Sequence, residues 1–296
     1  MKTFKFLPVL ALILCTLTPS SHAAEKLKAL IIDGQNNHAW QQTTPWIKWA
    51  LEQSGRFTVD VSTTPHAPEQ WETWHPKFRD YAVIVSNYNG EMWPEDVRGE
   101  FVEFVRGGGG FVSVHAADNS FPQWPEYNEM IGLGGWGGRS EKDGPMVRYR
   151  DGKIVRDETP GAGGAHGAQH EFTIEARVPE HPIVKGLPAK WRHATDELYA
   201  KLRGPAKNMT VLATAFSSPQ ANGTGENEPI LMVVDFGKGR VFHTTMGHST
   251  NSMAGLGFQV TLARGAEWAA TGKVTIPAPK PEELPDDKAA LREMPK

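Results

Sequence analysis

Apolar runs and polar punctuation alternate regularly over the first half of the chain. Leu27–Asp33 (LKALIID) is a nearly continuous apolar run that ends in a turn, the pattern of a strand buried on both faces. Thr43-Thr44-Pro45 predicts an N-cap followed by a proline in a first helical turn. Trp46, Ile47, Trp49, Ala50 and Leu51 supply that helix's apolar face, and Gly55 ends it. Phe57–Val61, Tyr81–Ser86 and Phe111–Val114 read as three more strands. Before the last of these, Pro94 opens a helix whose apolar face is Val97, Phe101, Val102, Phe104 and Val105, closed by the glycine run 107–110. The order predicts a parallel sheet covered by helices on both faces.

The middle of the chain changes character. Residues 120–170 are rich in glycine and proline. Met146–Arg150 and Lys153–Arg156 flank Asp151-Gly152, a two-residue hairpin signal. Gly161–Gly167 reads as an ordered loop or a flexible flap, and Gly132–Gly138, which encloses Trp136, as a close backbone approach. Glu171–Ala176, Thr210–Phe216, Ile230–Phe236 and Arg240–Thr244 are further strands, the last two joined by Gly237-Lys238-Gly239. Gly257–Ala270 is a final amphipathic helix with Gly272 as its C-terminal glycine. From Ile276 the chain turns Pro- and charge-rich, as a surface strap or a disordered end.

The first 23 residues read as an address. MKTFKF is basic, Leu7 to Leu17 is mostly apolar, and Ser21-His22-Ala23 fits a signal-peptidase site. The apolar run is too short to span a bilayer. The expectation is a leader over 1–23, one domain over 24–275 and a tail over 276–296, in a secreted or periplasmic protein with no membrane contact after cleavage. Cys15 is the only cysteine and lies in the leader, so the mature chain has no disulfide, cysteine nucleophile or thiolate metal site. Loss of Lys2 and Lys5 with the leader takes the net charge from −3 to −5. A weakly acidic chain without a basic block is a poor partner for nucleic acid.

In an open parallel sheet, ligands bind beyond the carboxyl ends of the strands. The first strand is followed by Asn36, Asn37 and His38, the third by Asn87 and Asn89, and the fourth by His115, Asp118 and Asn119. The last strand is followed by Gly247-His248-Ser249. Four polar clusters at strand ends predict one crevice, in which His38, His115 and His248 converge. Histidine with carboxylate and no cysteine suits zinc or another divalent metal with N/O ligands. His166 and His170 are four apart, but the surrounding glycines argue against a helical metal motif; they are candidates for loop contacts to substrate. His243 alternates inward and reads as core, and His193 is placed to orient the pair Asp196-Glu197. Trp93, Trp124 and Trp136 fall in loops near the expected crevice, where flat rings would pack on sugar faces.

Several blocks resemble the ThuA-like family, named for trehalose utilisation: GGGFVSVHAA (107–116), HPIVKGLP (181–188), DELY (196–199), GKGRVFHTTMGH (237–248) and GAEWAATG (265–272). The resemblance implies a flavodoxin-like three-layer α/β/α fold of the class I glutamine amidotransferase type, here with a Gly-rich insertion and β-hairpins. In the amidotransferases a cysteine occupies the sharp turn after a central strand. The matching turn here holds His115, so glutamine hydrolysis through a thioester is excluded. The family is linked to sugar catabolism, including keto-disaccharides.

Two functions compete. One is an enzyme of keto-sugar or glycoside catabolism acting by hydrolysis, elimination or isomerisation. In it His115, His248 and Glu197 are catalytic or ligating, and Asn37, His38, Asn87, Asn89, Asp196, His166 and His170 contact a small carbohydrate. The other is a non-catalytic sugar-binding or accessory module that uses the same polar rim.

Overall fold

The structure is a computed structural model that describes residues 1–3 and 25–295. Apart from residues 1–3, the expected leader and its cleavage point after Ala23 lie outside the described residues. In chain order the first elements are β1 (Leu27–Asp33), α1 (Trp40–Gln53), β2 (Phe57–Thr63), β3 (Val83–Ser86), α2 (Glu95–Arg106), β4 (Gly110–Val114) and α3 (Pro125–Ile131). The middle adds β5 (Met146–Arg150), β6 (Lys153–Asp157), β7 (Ala165–His166), β8 (His170–Ala176), β9 (Lys190–Asp196) and β10 (Tyr199–Ala200). The chain closes with β11 (Met209–Phe216), β12 (Asn227–Phe236), β13 (Gly239–Thr244), α4 (Thr250–Met253) and α5 (Leu256–Thr271).

Strands β2, β1, β3, β4 and β13 lie side by side, all parallel. β12, β11, β8 and β9 extend the sheet in antiparallel steps, and the β5–β6 hairpin branches from β12. Strand periodicity divides the apolar side chains between two cores. Ala29, Ile31, Val85 and Val114 face α1 and α5, against Ile47, Leu51, Phe258 and Leu262. Leu30, Ile32, Ile84 and Phe111 face α2 and α3, against Val97, Phe101, Tyr127 and Met130. This is the flavodoxin-like α/β/α arrangement, with all five parallel strands presenting their carboxyl ends along one edge. Among the described residues no helix is long and apolar enough to cross a membrane.

Local chemistry accounts for the turns. Asp151 and Gly152 both take left-handed φ, 50° and 78°, as a two-residue hairpin with a right-handed twist requires. Gly272 ends α5 at φ 74°. Thr43 and Thr44 do not cap α1, which already begins at Trp40 and carries Pro45 inside it. Their hydroxyls instead accept hydrogen bonds from Asn87 Nδ2 at 3.0 and 2.9 Å. Strand β9 and helix α3 have no counterpart in the sequence reading. The buried positions of β9 mix apolar Trp191 and Ala194 with polar His193 and Asp196, which breaks the expected alternation. The C-terminal tail is a strap: Leu284 is buried, the Arg192 N–H donates to the Pro285 carbonyl, and the Leu256 N–H donates to the Ala290 carbonyl.

Candidate metal centre

β4 ends in a sharp turn. His115 takes φ 47°, a left-handed conformation that costs free energy in a residue other than glycine and that lifts its side chain past the sheet edge. Its Nδ1–H donates to the Thr245 carbonyl at 2.7 Å, and its ring stacks on Tyr199 with centroids 4.1 Å apart. That leaves Nε2 buried with no hydrogen-bond partner. Burial lowers the pKa of His115 to about 4, so near neutral pH Nε2 carries a free lone pair.

His38 is fixed from the loop after β1. Asn36 Oδ1 accepts from both the His38 backbone N–H, at 2.9 Å, and Nδ1–H, at 3.1 Å. Asn36 is held in turn by donating Nδ2–H to the Asn87 carbonyl at 3.3 Å. His248 follows β13 by way of Gly247, which at φ 118° bends the chain back over the sheet. His248 Nε2 lies 3.0 Å from the Gln169 amide. Nδ1 is buried and makes no hydrogen bond along its ring axis.

Glu197 completes the group. Its Oε2 stands 3.1 Å from His248 Nδ1, 3.8 Å from His38 Nε2 and 3.8 Å from His115 Nε2. The four donor atoms of His38, His115, Glu197 and His248 lie within 4.8 Å of one another. The corners of a tetrahedron with ~2.0–2.1 Å metal bonds are ~3.4 Å apart, so small side-chain rotations would close this set on one ion. Each histidine has its other ring nitrogen held by an oxygen or an amide, the arrangement that fixes ligand tautomer and orientation. Three imidazoles and one carboxylate, with His115 Nε2 buried and unpartnered, fit a divalent transition metal. Burial would raise the pKa of Glu197, but the imidazoles that face it, His248 first, outweigh burial and hold the carboxylate well below the usual range.

His38, Glu197 and His248 line the floor of a crevice of about 550 Å³, and His115 is buried against them. Asn37 and Asn89 stand on one rim, joined by a 2.6 Å bond from Asn89 Nδ2 to Asn37 Oδ1. Trp136, His166, Tyr199 and Asn119 line the other side. His166 Nδ1–H donates to the Gly167 carbonyl, and Nε2 faces Glu197 Oε1 at 3.9 Å. The glycine-rich loop that carries it is ordered: β7 pairs with β10, Gly164 N–H donates to the Lys201 carbonyl, and Trp136 N–H donates to the Gly163 carbonyl.

Other expected contacts lie elsewhere. Asn87 is buried, its amide spent on Thr43, Thr44 and Asn36, so it braces the His38 loop and does not line the crevice. Asp196 is fully buried, and both its oxygens accept from the protein itself. His170 bonds the Ala168 carbonyl and is not among the residues lining the crevice. Trp93 and Trp124 belong to the α2–α3 core. His243 is buried against Asp118 and the Ile131 carbonyl. Tyr199 and Gln169 were passed over in the sequence. Tyr199 sits two residues after Glu197, and burial pushes its hydroxyl pKa up, so it stays a hydrogen-bond donor.

A family model described as ThuA, trehalose utilisation, matches residues 28–269. A crystal structure of a Parabacteroides merdae protein described as ThuA-like is 47% identical with a TM-score of 0.86, over 90% of this chain and 98% of that one. A second protein described as ThuA-like, from Bacteroides uniformis, has 20% identity and a TM-score of 0.56, over 87% of this chain and 97% of its own. At that identity the likeness speaks for the fold alone. No curated protein matches the chain.

Proposed function

The chain belongs to the ThuA family, and we propose that it is an exported, metal-dependent enzyme of carbohydrate catabolism. The observation that carries this reading is the convergence of His38, His115, His248 and Glu197 beside a crevice, with His115 Nε2 buried and unpartnered. Export rests on the tripartite leader over residues 1–23.

A bound divalent ion, zinc among the candidates, would act as a Lewis acid on a sugar carbonyl or hydroxyl. His38, His115, His248 and Glu197 would hold it. His166 Nε2, facing the cluster from the loop, has a lone pair with which to take a proton and return it. The Tyr199 hydroxyl would donate to a substrate oxygen. Asn37, Asn89 and Asn119 offer amides to sugar hydroxyls, and Trp136 gives a flat apolar face for the ring. These groups suit proton transfer next to a polarised carbonyl, and so hydrolysis, elimination or isomerisation of a keto-sugar or glycoside.

Metal analysis of the purified protein, followed by a screen of keto-disaccharides with and without chelator, tests the reading. The expected result is about one equivalent of a divalent ion and a turnover that chelation abolishes. Sugar binding with no turnover under any metal would instead support the accessory-module reading. Absence of any bound or bindable ion would overturn the metal site.

A further inference from the structure

We propose that Asp196 is a positioning residue that holds two of the four candidate ligands in place before any ion arrives. The inference rests on the metal reading above and adds a residue that touches neither ion nor substrate. Asp196 ends β9 and has no exposed surface. Its Oδ1 accepts from the backbone N–H of Glu197 at 2.9 Å and of His248 at 3.1 Å. Its Oδ2 accepts from the Gly247 N–H at 2.9 Å and from His193 Nε2–H at 2.9 Å. One carboxylate therefore grips the main chain at both Glu197 and His248, and no crevice wall contributes to the grip.

The two segments joined here come from distant parts of the sheet. Glu197 follows an antiparallel edge strand, whereas His248 follows the parallel strand β13. No backbone ladder runs between β9 and β13, which are separated in the sheet by β12, β11 and β8. The Asp196 carboxylate supplies the cross-link that the ladder does not. Backbone hydrogen bonds at the ligand residue itself fix where each side chain starts. Gly247, left-handed and crowded by Met253, Phe258 and Val114, leaves the turn little freedom to find another register. Asp196 also places a second carboxylate behind Glu197, which favours a dication over a monovalent one by simple charge balance.

The test compares cobalt(II) affinity, read from the visible d–d absorption, in the wild-type protein, in Asp196→Asn and in His193→Gln. Metal-free melting curves are taken in parallel. Asp196→Asn keeps the shape but turns an acceptor into a donor facing the Gly247 N–H. It should weaken cobalt binding by roughly 10- to 100-fold and alter the band pattern. His193→Gln keeps an N–H donor for Oδ2 and all three backbone bonds, and should change affinity by less than about threefold. A lower melting temperature in Asp196→Asn with wild-type cobalt affinity and spectrum would reduce Asp196 to a fold-stabilising role and overturn the proposal. If Asp196→Asn does not melt cooperatively, amide hydrogen exchange of the metal-free wild type decides. Protection at Glu197, Gly247 and His248 is expected, and rapid exchange there overturns the proposal. A wild-type protein that binds no cobalt sinks the metal reading itself, a separate outcome.

Discussion

His248 Nδ1 and Glu197 Oε2 stand 3.1 Å apart, although one follows the last parallel strand and the other an antiparallel edge strand. Contact with Glu197 raises the pKa of His248 above its ordinary value, against the effect of burial. The contact lies off the axis of the ring nitrogen, so the pair is held by charge more than by a directed hydrogen bond. Two ionisable groups drawn together at the floor of a crevice, with two further imidazoles beside them, are a functional-site signature.

His115→Asn separates ligation from folding. His115 is only 2% exposed and stacks on Tyr199, so its truncation to alanine would leave a cavity and would not be structurally silent, contrary to what a strand-end position suggests. Asparagine tolerates the left-handed φ of 47° at this site. His115→Asn is expected to keep stability within about 1–2 kcal/mol of wild type while losing metal affinity by at least tenfold. Equilibrium denaturation together with metal titration measures both. Full metal affinity in this variant would remove His115 from the ligand set.

Trp136→Ala addresses the wall of the crevice. The indole packs against Tyr199 at 4.7 Å and covers Gly164. On a carbohydrate substrate, loss of that face should raise KM several-fold, a cost of about 1 kcal/mol, and leave metal content unchanged. A kcat effect with unaltered KM would instead place Trp136 in loop positioning.

Export is checked by mass spectrometry of the protein from its native host. The mature N-terminus is expected at Ala24, within a few residues. A cytoplasmic protein that starts at Met1 would contradict it.

The parallel half was legible because its strands are apolar on both faces and its helices carry one apolar stripe, a pattern that few other folds produce. The three strand-end histidines were legible for the same reason: parallel strands bring their carboxyl ends to one edge. What failed was the resolution of neighbours. Asp196 and Glu197 are adjacent, yet one turns into the protein and the other into the crevice. Asn87 and Asn89 part in the same way. At the end of a strand the side chain that reaches the rim depends on where the ladder stops, and composition does not encode that. Strand β9 stayed hidden because only Trp191 and Ala194 among its buried residues are apolar; His193 and Asp196 are polar, and their burial is made tolerable by their bond to each other and by the bond to a distant turn.

The last expectation concerns the junction of α5 and the strap. Glu267 has no exposed surface and accepts from Arg56 Nε at 2.9 Å, from the Thr275 N–H and hydroxyl, and from the Ile276 N–H. Burial alone would raise its pKa, but these bonds outweigh burial and bring the carboxyl below its ordinary 4.5. A carboxylate whose folded pKa is depressed adds stability that is fully present above the unfolded value and is lost as pH falls through the folded one. Glu267→Gln keeps one acceptor and turns the other position into a donor that faces hydrogens. It should therefore cost about 2–3 kcal/mol at pH 7. The difference from wild type should shrink as pH falls from about 4.5, where the unfolded carboxyl protonates, through the lower folded value, where the native carboxyl takes up the proton that the variant's amide mimics. Urea denaturation of both proteins from pH 7 down to pH 3 measures this difference. A gap that stays constant across that range would mean that Glu267 acts by shape alone, and that its charge does nothing to hold the strap to the helix.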